Sequence, residues 1–282
     1  MVSAAQRREA ARYLVSRYGV SERRACCAVK VSRSVFRYQS RRAPDDALRR
    51  HIRDLAETRL RYGYKRIYIL LRRQGLPINH KRVHRLYCLE GLQLRAKRPR
   101  RHVSAAARTG NRQRPTAPNQ AWSMDFMAAF TGSGGKFRVL TILDMFTRES
   151  LAIEIGRRLR GEDVVRALNR IVLRRTAPKS IYCDNGSEFT GRLLDLWAYH
   201  QGVEICFSRP GKPTDNALIE SFNGRFRDEC LNTHWFTTLE EAQCESERWR
   251  QDYNENRPHM GLNGMTPNEY AVSYEQEDRE FA

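Results

Sequence analysis

The chain predicts two all-helical units followed by an α/β core, a mixed five-stranded sheet flanked by helices. Three observations carry that expectation. Within the first 94 residues, apolar positions recur at helical spacing in short runs opened by Ser or Asn. From Gln120 onward the period becomes two, in strands that meander first and then alternate with helices. The charge divides at the same place: residues 1–119 hold 31 Lys and Arg against 7 Asp and Glu, whereas residues 120–282 hold 20 against 25.

The first unit, residues 1–42, reads as a helix-turn-helix. Ala10, Ala11, Leu14 and Val15 are spaced as one face of a helix over Arg7–Arg17 that Gly19 ends. Ser21 caps a second helix, although Arg24 stands where a capping box wants Glu or Gln. Ser32 opens a third through Tyr38, which carries Arg33 and Arg37 as candidate DNA contacts. The second unit, residues 45–94, begins after the Ala43-Pro44 break with an apolar stripe of Leu48, Ile52, Leu55 and Ala56. A turn at Arg61-Tyr62-Gly63-Tyr64 precedes a helix that runs to Gly75, holding Ile67, Leu70 and Leu71 with Lys65 and Arg66 as candidate DNA contacts. Asn79 then caps a third helix that stops at Gly91. Three helices with a basic last one suit DNA reading, and Lys81, Arg82 and Arg85 would face phosphates or bases. His80 and His84 share a helical face but lack a downstream C-x-x-C, so zinc is not expected. Residues 95–119 form a basic linker without apolar period.

The core is expected over residues 120–235, with a helical extension over 236–282. Strands are predicted at Trp122–Phe130, Phe137–Phe146 and Ser150–Ile155, then a helix Glu162–Arg174 and a strand Ser180–Cys183. A helix Arg192–His200, a strand Val203–Phe207 and a long helix from near Thr214 follow.

A formal charge of +19 over 282 residues implies a polyanionic partner, nucleic acid before membrane, and the basic excess lies in the front half. Seven scattered cysteines give neither a disulfide framework nor a four-ligand zinc pattern, which fits a reducing cytosol. No apolar run resembles a signal peptide or is long enough to span a bilayer, so a cytoplasmic protein without membrane contact is expected.

Candidate chemistry lies in three acids. Asp125 occupies a predicted strand, where alternation places Met124, Phe126 and Ala128 on the other face. A carboxylate there asks for a cation or a paired base. Asp184 ends a strand and opens Asp184-Asn185-Gly186-Ser187-Glu188-Phe189. Glu220 lies 36 positions later in Asp215-Asn216-Ala217-Leu218-Ile219-Glu220-Ser221-Phe222-Asn223-Gly224. At about 100° per residue, Asn216, Glu220, Asn223, Gly224 and Arg227 share one helical face, opposite Ile219, Phe222, Phe226 and Cys230. Hard carboxylate oxygens drawn from distant points of a chain suit a magnesium site for phosphoryl transfer. Arg227 is a candidate phosphate contact, and Asn216 and Asn223 are candidate DNA contacts beside it.

These residues resemble the DDE core of insertion-sequence transposases and retroviral-type integrases. The resemblance is strongest to the second-reading-frame (OrfB) transposases of the IS-three-like family. It extends to Arg61-Tyr62-Gly63-Tyr64-Lys65-Arg66-Ile67, to Asn79-His80-Lys81-Arg82-Val83, and to Tyr253-Asn254-x-Asn256-Arg257-Pro258-His259 followed by Met265-Thr266-Pro267. It covers almost the whole chain. The resemblance implies an RNase H-like core in which Asp125, Asp184 and Glu220 bind two Mg²⁺ ions when DNA is bound, with Mn²⁺ substituting. It implies cleavage and strand transfer at terminal inverted repeats, a target DNA, and at least a dimer on DNA. It further implies, in some members, an upstream-frame protein partner, and a bacterial, nucleoid-associated location. Two other readings remain at this point: a catalytically silent DNA-binding regulator, and an RNase H-type structure-specific nuclease.

Overall fold

The computed structural model describes residues 3–39, 45–94, 115–209 and 216–280. The chain divides into two compact units, residues 1–48 and 49–282.

The first unit holds α1 (Ala4–Tyr18), α2 (Glu22–Ala28) and α3 (Arg33–Arg37). Ser3 and Gln6 form a reciprocal capping box on α1, one turn before the expected start, and Gly19 closes the helix at φ 63°. Ser21 and Ser32 cap α2 and α3 through the backbone N–H of Arg24 and Val35. Ala11, Ala25 and Cys26 are the buried residues of these helices, so the core of this unit is small.

α4 (Asp46–Thr58) begins just before the division, and with α5 (Tyr64–Arg73) and α6 (His80–Leu89) it surrounds buried Ile52, Ile67, Leu71, Val83, Leu86 and Tyr87 of the second unit. Asn79 caps α6 by accepting from Lys81 N at 2.8 Å. Arg61 takes φ 65° in the turn before α5.

Residues 95–114 of the expected linker lie outside the described residues, but its end belongs to the core. Asn119, at φ 62°, accepts from Trp122 Nε1 at 2.9 Å, and its backbone N–H donates to Asp144 at 2.7 Å. The sheet contains β1 (Ala121–Phe130), β2 (Lys136–Asp144), β3 (Ser150–Gly156), β4 (Ser180–Cys183) and β5 (Glu204–Phe207), in the order β3-β2-β1-β4-β5. The first three are antiparallel, and β4 and β5 continue the sheet in parallel. The parallel additions require crossovers, supplied by α7 (Gly161–Val172) and α8 (Arg192–Gln201). β2 stops at Asp144 rather than at Phe146, because the Asp144 carboxylate accepts the N–H groups of Phe146 and Thr147 and turns the chain.

Alternation along β1 assigns its two faces. Trp122 and Met124 join Leu140, Ile142, Ile181 and the apolar sides of α7 and α8 in one core. Met127 belongs to the other, with Phe137, Val139, Leu143 and the residues Ile219, Phe222 and Phe226 of α9 (Ala217–Phe226). Burying each of those three side chains stabilises the docking by about 2 kcal/mol. A π-turn, Arg227–Leu231, continues α9.

The segment expected as a C-terminal extension covers the sheet edge. In α10 (Leu239–Glu255), Gln243 accepts from Ile155 N at 2.9 Å and donates to Ile153 O at 3.0 Å. Asn254 makes the same double bond with Ser150, at 2.8 and 3.0 Å. Two side-chain amides thereby stand in for a sixth strand and satisfy edge groups of β3. α11 (Pro267–Glu280) follows, with Phe146 packed against Tyr270 and Tyr274.

Helix α5 and the turn before it also dock on this C-terminal segment. Arg66 Nε donates to Pro258 O at 3.1 Å, Arg59 pairs with Asp252, and Arg73 pairs with Glu269 at 2.5 Å. Beneath them Arg257 is buried in an ion pair with Glu229 of the π-turn, its guanidinium 5.6 Å from the ring centres of both Tyr62 and Tyr253.

Candidate active site

Asp125 lies on the α9 side of β1. Its Oδ1 accepts from Phe126 N and its Oδ2 from Asn223 Nδ2, each at 2.8 Å. Thr141, opposite Asp125 in the β1/β2 ladder, donates its hydroxyl to Asn223 Oδ1 at 2.8 Å. Burial raises the Asp125 carboxyl to about 6, and the charges of Asp184 and Glu220 push the same way against hydrogen bonds from Phe126 and Asn223.

Asp184 follows β4 directly, and β4 pairs with β1 through Ser180, Ile181 and Tyr182. Its Oδ1 accepts from Gly186 N at 3.0 Å. A Cβ on Gly186 would stand 2.9 Å from that oxygen, so this position favours glycine for space rather than for an unusual φ. Phe189 is fully buried and stacks on Phe126 with ring centres 5.0 Å apart, while Glu188 pairs with Arg138 of β2. These contacts fix the loop that carries Asp184. Cys183 is buried, and burial pushes its thiol up to about 12, so it acts as packing.

Glu220 is in the first turn of α9 and is exposed. The sheet-facing side of that helix is instead Ile219, Phe222, Asn223 and Phe226, which are buried. Among the described residues, no group of three His, Cys, Asp or Glu side chains is close enough to hold a metal ion. The donor chemistry nevertheless fits a hard divalent cation, because all three groups offer carboxylate oxygens and a nearby positive charge would favour the ionised form of Asp125.

The expected DNA contacts separate into two groups. Asn223 is buried, and both ends of its amide are engaged within the protein, so it holds Asp125 rather than reaching outward. Arg66 is turned into the seam with Pro258 for the same kind of reason, and Arg37 pairs with Glu22 at 2.7 Å. Asn216 is buried at the N-cap of α9, with Oδ1 lacking a partner among the described residues. Arg33, Lys65, Lys81, Arg82, Arg85 and Arg227 are exposed, and Arg227 reaches Ala128 O at 3.5 Å. His84 and His80 lie against Tyr64 and Tyr68, at 4.4 and 6.1 Å between ring centres. Asp215 lies outside the described residues. Gly224 faces open space where a side chain would stand, so its small size is not required by packing among the described residues.

Residues 115–213 and 201–267 each match an integrase core domain family, and residues 43–101 match an HTH-like domain family. The chain is 45% identical over 258 residues to an uncharacterized 31.7 kDa protein of insertion element IS407 from Burkholderia multivorans, covering 90% of this chain and 92% of that one. The chain belongs to the integrase-core transposases of insertion elements.

A second relative is an uncharacterized 39.2 kDa protein of insertion element IS476 from Xanthomonas euvesicatoria. It is 40% identical over 273 residues, 95% of this transposase and 78% of that chain. The transposase for insertion sequence element IS904 from Lactococcus lactis is 28% identical over 222 residues, 74% and 87% of the two chains. The HTH-like match falls on the helices α4 to α6 of the transposase, and the second integrase-core match extends past Arg257 into the segment that covers β3. No helix among the described residues is long and apolar enough to cross a membrane.

Proposed function

We propose that the transposase uses Asp125, Asp184 and Glu220 as the carboxylate ligands of a divalent-metal polynucleotidyl transferase acting on the ends of its own insertion element. The observation that carries this reading is the convergence of three elements: half-buried Asp125 on β1, the adjoining strand β4 that Asp184 directly follows, and α9, which carries Glu220 and is tied to Asp125 through Asn223. Bound there, Mg²⁺ or Mn²⁺, two ions once DNA is present, would stabilise charge on the attacking and leaving oxygens of an in-line displacement.

The protein's own residues supply position. Asn223 and Phe126 N hold Asp125 in one rotamer, the Phe189 anchor and the Arg138–Glu188 pair hold the Asp184 loop, and the apolar side of α9 sets Glu220 at the rim. Exposed Arg227, two turns along from Glu220, is suited to a phosphodiester oxygen. In end cleavage, water attacks the phosphodiester phosphorus and the P–O bond to the departing 3′-oxygen breaks. In strand transfer that 3′-hydroxyl attacks a target phosphodiester and releases a target 3′-hydroxyl. Both steps are one displacement with different nucleophiles.

The helical units over residues 1–42 and 45–94 would read the terminal inverted repeats, through Lys65, Lys81, Arg82, Arg85 and Arg33. Residues 95–119 would link them to the core over 120–235 and the extension over 236–282. Joining two ends requires at least two copies on DNA, and an upstream-frame protein is a further partner. The test is nicking and joining of labelled element ends with Mg²⁺ or Mn²⁺. Asp184→Asn is expected to abolish both reactions while retaining end binding; full activity in that variant would overturn the assignment.

A further inference from the structure

Between β3 and α7 the chain runs Arg157-Arg158-Leu159-Arg160. Leu159 is buried in the core, which anchors the segment, while Arg157, Arg158 and Arg160 are exposed. With Arg138, Gly161, Ser187 and Glu188 they line an open cavity of about 390 Å³. Several other arginines of this half are paired: Arg170 with Glu154, Arg175 with Glu149, Arg250 with Glu247, and Arg257 with Glu229. Among the described residues, the guanidinium groups of Arg157, Arg158 and Arg160 have no carboxylate partner. The acids nearest in sequence are Glu162 and Asp163, and Asp163 already accepts from Arg166 at 3.0 Å and from Arg160 N at 2.9 Å. Glu188, on the cavity wall, is neutralised by Arg138.

This unpaired charge adjoins the candidate active site. Asp184 Oδ1 and Glu188 Oε2 lie 2.9 and 3.3 Å from where a Cβ on Gly186 would stand, so the Asp184 carboxylate and a carboxylate of the cavity wall approach the same point beside Gly186. An open, cationic concavity of this kind suits a chain of phosphates, since guanidinium groups bind phosphate oxygens through paired N–H donors and release counterions on doing so.

We propose that Arg157, Arg158 and Arg160 form a phosphodiester-backbone site on the catalytic core that holds the DNA strand running across Asp184. It deepens the proposed function by adding a substrate contact, and it rests on that reading for the identity of the reacting strand. The DNA is either the element end or the target duplex, which share this chemistry.

The test uses the full chain and measures binding of two duplexes, a labelled element end and an unrelated sequence, across a salt series. For the double variant Arg157→Gln, Arg158→Gln, the slope of log affinity against log salt should fall by about 2 on the duplex this site holds. A drop on the end duplex alone assigns the element end, and a drop on both assigns general, target-type binding. The pair Arg157→Lys, Arg158→Lys should retain the wild-type slope, and an unchanged thermal midpoint verifies folding of both variants. Unchanged slopes on both duplexes in the folded Gln variant would overturn the proposal. If the slope falls while wild-type protein shows no metal-dependent nicking, the arginine site stands and the catalytic reading fails instead.

Discussion

Asn223 donates its amide to Asp125 Oδ2 at 2.8 Å and accepts the hydroxyl of Thr141 at 2.8 Å, bridging two residues that face each other across the β1/β2 ladder. One turn of α9 thus joins the exposed Glu220 to a half-buried strand carboxylate.

Asn223→Ala is expected to leave the Thr141 hydroxyl and one Asp125 oxygen unpartnered, destabilising the fold by about 2 kcal/mol. The lost donor normally lowers the Asp125 pKa, so its removal should carry the carboxyl further above 6. The acid limb of the nicking rate should move to higher pH. A pH–rate profile of the variant that overlays the wild type would show that Asn223 does not position Asp125.

His259 is buried and lies 4.8 Å from Tyr253 between ring centres. Burial, then the charges of Arg257, Arg225, Arg66 and Arg148, lowers it from 6.5 to about 2. A depressed folded pKa means that its contribution to stability is full above about pH 6.5 and is lost as pH falls toward 2. Asp125 acts in the opposite sense: its raised pKa gives a contribution that is full below about 3.8 and is lost as pH rises through about 6. Comparing wild type with His259→Asn cancels the Asp125 contribution. Urea midpoints between pH 7 and 5 should fall less in the variant, and parallel declines would remove His259 from the account.

The Arg257–Glu229 pair is buried, with side chains 2% and 8% exposed. Removing one partner strands a charge, so Arg257→Ala should cost about 4 kcal/mol, and Arg257→Met with Glu229→Leu should cost less than the single change. Because Arg257 also lies near Tyr62, hydrogen exchange in α5 should accelerate in Arg257→Ala. Equal losses in the single and double variants would contradict a desolvated pair.

Gln243→Leu should leave Ile153 O and Ile155 N of the β3 edge without their side-chain partners. A loss of about 2 kcal/mol is expected, together with faster aggregation through the uncovered edge. Light scattering during mild heating reads this; aggregation at the wild-type rate would show that α10 covers the edge without those bonds.

Much of this was legible in the residues. Period-two alternation placed Asp125 and Met124 on opposite faces of β1, helical spacing picked out Ile219, Phe222 and Phe226 as the buried side of α9, and Ser21, Ser32 and Asn79 marked helix starts. Such features depend on neighbours within a turn or a strand, where covalent geometry fixes which side chains share a face. The same spacing put Asn223 with Glu220, yet could not show that its partner is a strand residue nearly a hundred positions earlier. Arg66 read as a DNA contact for the same reason, since a basic residue on a helix has no sign of whether a carbonyl such as Pro258 O waits across a seam.

The sequence by itself determined the elements, their apolar faces, the charge division and the motifs that assign the family. Tertiary structure decided which polar groups are engaged inside the protein. Asn223 went to Asp125, Gln243 and Asn254 to the β3 edge, and Arg257 to Glu229, whereas Arg157 and Arg158 stayed exposed beside the Asp184 loop. Apolar burial repeats along the chain with the period of the backbone and can be read locally. A polar side chain is settled by whichever donor or acceptor the fold brings within about 3 Å, and that partner has no fixed distance in sequence.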